Sequence, residues 1–254
     1  MYILRIIARL DIKGPNLIKG INFEGLKVVG DPNKFALEYY KDGADEIIFM
    51  DIVASLYNRN SLHDIIKSTC KNIFIPITVG GGIRTIDDAL KIFDSGADKI
   101  SVNTRAVQNP DLISVLSKRF GSQSIVLSVE AKKVAEKKWE PYIDSGREKT
   151  NLDAIEWVKK GSDLGAGEIL LTSVDMEGTC KGFDTELIYE VSNNVSIPII
   201  ASGGFGEKKD LEKAHKAGAD SIAIGHMLHY NKLNLRQIRD YALSASIKVR
   251  KYAQ

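Results

Sequence analysis

The chain has 254 residues, of which 44% are hydrophobic and 27% charged, and its 35 basic and 33 acidic side chains leave a net charge of +2. That balance gives no footprint for a nucleic-acid partner, and the apolar runs fall short of the roughly 18 residues that a membrane span needs. Only two cysteines occur, Cys70 and Cys180, too few for a disulfide framework and not spaced as metal ligands. The opening MYILRIIARLDIK carries charge too early for a secretory signal, so a cytoplasmic location is the default expectation.

In chain order, short runs rich in β-branched residues at 5–11, 46–51, 76–80, 98–102, 124–129, 168–173, 198–202 and 220–224 read as strands. Between them lie stretches of helical period such as TIDDALKIFDSG and KKDLEKAHKAG, each closed by a glycine suited to a helix C-terminus. The order repeats. IPITVGGGIRTIDDALKIFDSGADKISV (75–102) returns 122 residues later as IPIIASGGFGEKKDLEKAHKAGADSIAI (197–224), and DGADEIIFMD (42–51) returns at the same offset as LGAGEILLTS (164–173). RIIARLDIK (5–13) and IVLSVEAKK (125–133) form a looser pair, which aligns Asp11 with Glu130. A duplicated half of four strand–helix units predicts an α/β fold, a closed (βα)8 TIM barrel running as a single domain over 1–254 with no linker or low-complexity segment. An open doubly wound sheet is the rival fold, into which a duplicated half fits less naturally.

Barrel enzymes carry their chemistry at the carboxyl ends of the strands. Asp11 and Glu130 stand at the ends of the first and fifth, on opposite sides of one mouth. Either alone could merely cap a strand, but two carboxylates at duplicated positions are candidates for acid/base work. The loops VGGGIRT (79–85) and ASGGFGE (201–207) follow the third and seventh strands, where glycines let backbone N–H groups converge on an anion. The first cradle is expected to be completed by Gly82, Asn103 and Thr104, the second by Gly204 and by Gly178 in DMEGT. Each glycine alone is equally a tight turn; as a set they point to a small-molecule ligand with a phosphate at each end.

Lys19, in the long first loop KGPNLIKGINFEGLKVVGDP, is placed to reach over the mouth, and a loop of that length in a compact barrel is usually a lid or binding loop. Thr172 and Ser145 are further polar candidates there. The insert AEKKWEPYIDSGREKT, with Trp139 and Tyr142, reads as an exposed hairpin. His63, His215, His226 and His229 do not cluster with carboxylates, so neither a metal nor a cofactor is expected, and His229 is expected to pack at the start of the last helix.

Together RIIARLDIK, KG.NFE..K..GDP, DI.AS, TVGGGIR, GADK.S.NT, FGSQ, GAGEILLTS, GT..G.D and PIIASGG.G cover nearly the whole chain, which resembles the cyclase subunit of imidazole glycerol phosphate synthase. The resemblance implies a (βα)8 barrel paired with a glutaminase, whose ammonia passes through the barrel to a ribulosyl aminoimidazole carboxamide ribonucleotide bearing two phosphates. The products are imidazole glycerol phosphate and an aminoimidazole carboxamide ribonucleotide, in histidine biosynthesis. The family's two catalytic carboxylates fall on Asp11 and Glu130. Its ring of charges at the barrel bottom falls on Arg5, Glu46, Lys99 and Glu168, an ammonia gate in that reading and a salt-bridged plug in a plainer one. Asp98 falls where the glutaminase docks.

The chain departs from the family at three places. Position 130 is normally aspartate, and the extra methylene would move the carboxylate by roughly 1–1.5 Å. Glu177 stands for an aspartate in the loop after the sixth strand, and Gly225 and His226 stand for the small residues that hold the second phosphate. These changes open an alternative, a paralogue that delivers ammonia to a different acceptor such as a sugar of a surface polysaccharide. A second alternative is a non-catalytic docking activator of the glutaminase. The isomerase sister on the same fold needs no bottom gate, so the four gate residues argue against it.

Overall fold

The computed structural model describes residues 3–54 and 62–251; the serine of the DI.AS motif, Ser55, lies outside the described residues. In chain order the strands are β1 (Arg5–Lys13), β2 (Asn16–Ile21), β3 (Glu24–Gly30), β4 (Glu46–Asp51), β5 (Ile77–Gly80), β6 (Lys99–Val102), β7 (Ile125–Ala135), β8 (Lys138–Ile143), β9 (Glu148–Lys149), β10 (Glu168–Ser173), β11 (Ile199–Ser202) and β12 (Ser221–Ile224). Eight of them pair in parallel in the order β1-β4-β5-β6-β7-β10-β11-β12, and β12 returns to β1. The sheet is thus a closed barrel, which excludes the doubly wound alternative. The expected strands coincide with these eight to within a residue or two at most bounds, and β1 and β7 run on past the mouth because each turns into a hairpin.

Side chains alternate across a strand, so one residue in two points to the axis. From the bottom upward the interior holds Arg5, Glu46, Lys99 and Glu168, then the apolar side chains of Ile7, Ile48, Val126, Leu170 and Ile200, then Arg9, Ser128, Thr172 and Ser202, and at the top Asp11 and Glu130. The larger apolar core lies outside the barrel, between the strands and the helices that follow them.

The duplication is visible in hydrogen bonds. Helix 86–94 starts with Asp88 Oδ2 accepting from the N–H groups of Arg84 (3.0 Å) and Thr85 (3.1 Å), and helix 208–216 starts with Asp210 Oδ2 accepting from Gly206 (3.0 Å) and Glu207 (2.9 Å). The aspartates of the three G-A-D motifs also share one task. Asp45, Asp98 and Asp220 each turn Oδ2 to the free N–H at the start of a neighbouring strand: Ile6 (2.8 Å), Ile77 (2.8 Å) and Ile199 (2.9 Å). The fourth copy has Gly167, because a side chain there would collide with the carbonyl of Ser122. Asp98 therefore has a fold role whatever else it does, and it remains exposed on the bottom face.

Two expectations about the loops change. The long first loop is a β-hairpin, β2–β3, that brings Lys19 down onto the mouth. The insert after β7 is also a hairpin, exposed at its tip and over Arg147–Lys149; Trp139 (1% exposed) and Tyr142 (5%) are buried, since β8 pairs back along β7 and packs on helix 154–163. Trp139 Nε1 donates to Asp184 Oδ2 at 2.9 Å, which satisfies its polar end. His229 lies in a separate helical turn, 226–229, ahead of the last helix 235–244, where it stacks on Tyr39 and its Nδ1 pairs with the Tyr39 hydroxyl at 2.7 Å.

Replacing Asp220 by alanine removes the acceptor at the start of β11 and is expected to lower stability by about 1–2 kcal/mol. A shift of that size in the urea midpoint, with unchanged slope, checks it.

Candidate active site

Among the described residues a cavity opens at the carboxyl ends of the strands in each half, and a further space of about 530 Å³ lies beside the β2–β3 hairpin against Lys19 and His226. The first, about 240 Å³, is lined by Gly82, Asn103, Thr104, Arg105, Glu130 and Ser145 among others. The second is a cleft of only about 20 Å³ between Arg9, Lys19, Glu177, Gly178, Gly204, Gly225 and His226. The expected cradle residues are therefore brought together as two groups, one per half. Gly204 and Gly178 hold left-handed backbone (φ 104° and 73°), and a side chain on either would run into the carbonyl of Gly182 or Gly20. Glycine at these positions is thus required by the close approach of neighbouring chain.

Between the cavities lies a buried charge cluster. Lys19 Nζ donates to Asp11 Oδ2 at 2.7 Å and to Glu177 Oε1, while Arg9 Nε donates to Asp11 Oδ1 at 3.0 Å. Arg9 Nη1 donates to Thr172 Oγ1 and Ser202 Oγ, both at 2.9 Å. Arg9, Lys19, Asp11 and Glu177 are each less than 5% exposed. Thr172, a candidate by its position at a strand end, is fully buried, lines neither of the two cavities and accepts from Arg9. Glu177 lines the second cleft, but its carboxylate is committed to Lys19 and would repel a phosphate.

Glu130 is held differently. Its Oε2 accepts from the Gly146 N–H (2.8 Å) and from Asn103 Nδ2 (3.2 Å), and no cation pairs with it among the described residues. Thr104 Oγ1 accepts from the Asp144 N–H at 3.1 Å, which ties the loop after β6 to the hairpin that carries Gly146. Ser145 Oγ donates to Ile52 O at 2.7 Å, closing the same wall.

These environments separate the two carboxyls. Burial opposes ionisation of Asp11, but the adjacent Arg9 and Lys19 charges outweigh it and hold the carboxyl well below the usual range. Burial pushes Glu130 up to about 7, with Arg9 and the Gly146 N–H opposing and Asp11 and Glu177 adding. A pair of carboxyls driven apart in this way supplies an ionised group and a group that gains and loses protons near neutrality. His226 is lowered by burial and by Lys232 and Lys19, so it enters the second cleft as a neutral ring. Its Nε2 faces Lys232 Nζ at 3.2 Å and its buried Nδ1 has no partner, which leaves hydrogen bonding rather than charge as what it can offer an anion.

At the other end of the barrel Arg5 Nη1 donates to Glu46 Oε2 (3.0 Å) and Nη2 to Glu168, while Lys99 Nζ donates to Glu46 Oε2 (3.0 Å) and Glu168 Oε2 (2.8 Å). The four expected gate residues form one closed ring across the axis.

Arg9 is the site residue that motif reading missed. The signal was present, since residues 5, 9 and 11 of one strand share a face and a buried arginine beside a carboxylate has to be paired with it.

The profile of the family described as "Histidine biosynthesis protein" matches residues 5–234. The protein named "Imidazole glycerol phosphate synthase subunit HisF" in Legionella pneumophila is 59% identical over 208 residues, 82% of this chain and 98% of that one. The proteins of the same name in Hydrogenobaculum sp. and Endomicrobium trichonymphae are 46% and 43% identical, covering 98% and 97% of this chain and 100% and 95% of theirs. The chain belongs to this family. Within it, neither a different acceptor nor a docking-only role draws support from these relatives, which all bear the synthase name.

For a member of the family, the raised Glu130 has a measurable cost. Between pH 4.5 and 7 the unfolded chain releases this proton and the folded chain keeps it, so stability falls as pH rises through that window. Relative to Glu130→Gln, the wild type is expected to lose on the order of 2–3 kcal/mol from pH 4.5 to 8. Urea unfolding of both proteins across that range reads the difference.

Proposed function

We propose that this chain is the cyclase subunit of an imidazole glycerol phosphate synthase, and that it uses ammonia to turn the two-phosphate ribulosyl aminoimidazole substrate into imidazole glycerol phosphate and the aminoimidazole carboxamide ribonucleotide. The observation that carries this reading is the pair of buried carboxyls at the mouth, Asp11 clamped by two cations and Glu130 by none, between two glycine cradles.

Three events need proton transfer: ammonia addition, carbon–nitrogen cleavage and ring closure. Asp11 stays ionised and accepts protons or steadies positive charge that develops on nitrogen. Glu130, titrating near neutrality, gives a proton in one step and takes it back in another, the behaviour that general acid/base catalysis requires at physiological pH. The substrate spans the mouth with one phosphate at Gly82, Asn103 and Thr104 and the other at Gly178, Gly204, Gly225 and His226. Lys19, brought in by the β2–β3 hairpin, is released from Glu177 to meet it.

The ring of Arg5, Glu46, Lys99 and Glu168 is the gate, and the ammonia comes from a glutaminase docked on the bottom face beside the exposed Asp98. Above the ring the Ile7, Ile48, Val126, Leu170 and Ile200 layer offers neutral ammonia an apolar passage and ammonium none. The setting is cytoplasmic, in keeping with two unpaired cysteines.

With an ammonium salt at alkaline pH and the ribulosyl substrate, product followed by chromatography should show turnover by the chain alone. Asp11→Asn and Glu130→Gln should each reduce it by roughly 10²–10⁴-fold. Folded variants that turn over like wild type would overturn the assignment of the two carboxyls.

A further inference from the structure

Arg9 is a buried cation that neither the cradles nor the gate accounts for. It stands in the layer between the apolar passage and the carboxyls, 2% exposed, with the Phe23 ring 5.6 Å from its guanidinium carbon. Its donors reach three strands: Asp11 on β1, Thr172 on β10 and Ser202 on β11. Nη2 makes none of these bonds, and the side chain lines the second cleft beside Gly204, Gly225 and His226. A core needing only volume would not bury a guanidinium here, since desolvating it costs several kcal/mol unless a charge answers it.

We propose that Arg9 is a positioning residue of the reaction: it fixes the Asp11 carboxylate from inside the barrel and offers its remaining N–H to the anionic end of the substrate in the second cleft. One planar fork then sets the distance between the proton-transfer group and the bound end of the ligand, which a lysine, with a single point of charge, would not do. The inference rests on the proposed function for the substrate's identity but not for the role of Arg9 toward the two carboxyls.

The charged and titratable groups facing Arg9 are Asp11 on β1, Lys19 on β2, Glu130 on β7, Glu177 in the loop after β10, and His229 in the turn 226–229. Burial draws His229 down to about 3, so it stays neutral throughout the working range. Removing Arg9 leaves Asp11 with Lys19 alone and takes from Glu130 its leading opposing charge, so both carboxyls should titrate higher.

The test uses the full chain as wild type, Arg9→Met and Arg9→Lys, with two readouts. The first is the titration of Glu130 by carboxyl-carbon NMR, which needs no substrate: Arg9→Met should move it upward by about one pH unit and Arg9→Lys should leave it near wild type. The second is ammonia-dependent turnover against pH. The acid limb should follow the same upward shift in Arg9→Met, and KM should rise by about tenfold in both variants because the fork is gone.

A folded Arg9→Met with lowered Tm but unmoved titration, limb and KM would overturn the proposal and leave Arg9 a purely structural residue. Should that variant fail to fold, Arg9→Lys decides: wild-type kcat and KM there would equally overturn it. A wild type without turnover, together with a shifted Glu130 titration in Arg9→Met, would sink the substrate reading and keep the coupling of Arg9 to the carboxyls.

Discussion

Charge inside a closed barrel has to be answered inside the barrel, and that constraint organises the rest of this molecule. At the bottom two cations face two carboxylates, Arg5 and Lys99 against Glu46 and Glu168. At the top Arg9 and Lys19 are drawn to Asp11 and Glu177, while the buried Glu130 has no cation at ion-pair distance among the described residues. The apolar layer between the two clusters keeps a cation of one from serving the other, because charges in a low-dielectric interior do not move to distant partners without crossing an unfavourable region. Glu130 is held by neutral donors, and burial raises it to about 7. The carboxyl that burial raises is thus one that the neighbouring cations do not pair.

Strand periodicity converts this balance into a vertical order. On β1 the residues at 5, 7, 9 and 11 run from ring to apolar layer to buried arginine to carboxylate, so a single strand connects the bottom of the barrel to its chemistry. The duplication supplies the second side of the mouth from β7, and the G-A-D turns hold the strand starts in place on the bottom face. Their regularity has the physical origin that a parallel strand leaves its first N–H without a ladder partner, and a buried or half-buried donor needs an acceptor. The exception at Gly167 arises because the neighbouring Ser122 carbonyl occupies the space a side chain would need.

Much of this was legible in the sequence because it is carried by local pattern. Eight short runs, helix-ending glycines and a 122-residue repeat gave the strands and their closure, and the strand ends gave Asp11 and Glu130. What was hidden depends on contacts between distant segments. The burial of Trp139 and Tyr142 follows from how β8 lies back over helix 154–163, which no local periodicity encodes. Thr172 looked like a mouth residue by its position at the end of β10, yet the length of the Arg9 side chain reaches it first. Arg9 itself was written on the same face as Asp11, but motif reading passed over it because it belongs to neither a glycine loop nor a strand end.

The least legible feature is the inequality of the two halves. By sequence they are copies; in space the first opens one cavity of about 240 Å³, whereas the second has a cleft of about 20 Å³ that shares Lys19 and His226 with a space of about 530 Å³ beside the β2–β3 hairpin. The reason lies in what β1 and its hairpin contribute, since Arg9 and Lys19 both enter from that side and occupy the second half's share of the mouth. The same entry of cations from one side bears on how Glu130 is held. With Arg9 and Lys19 drawn to Asp11, the carboxyl of β7 is held by neutral donors, the Gly146 N–H and the Asn103 amide. Which carboxyl of the duplicated pair is clamped, and which is left to neutral donors, is thus set by the side from which Arg9 and Lys19 enter.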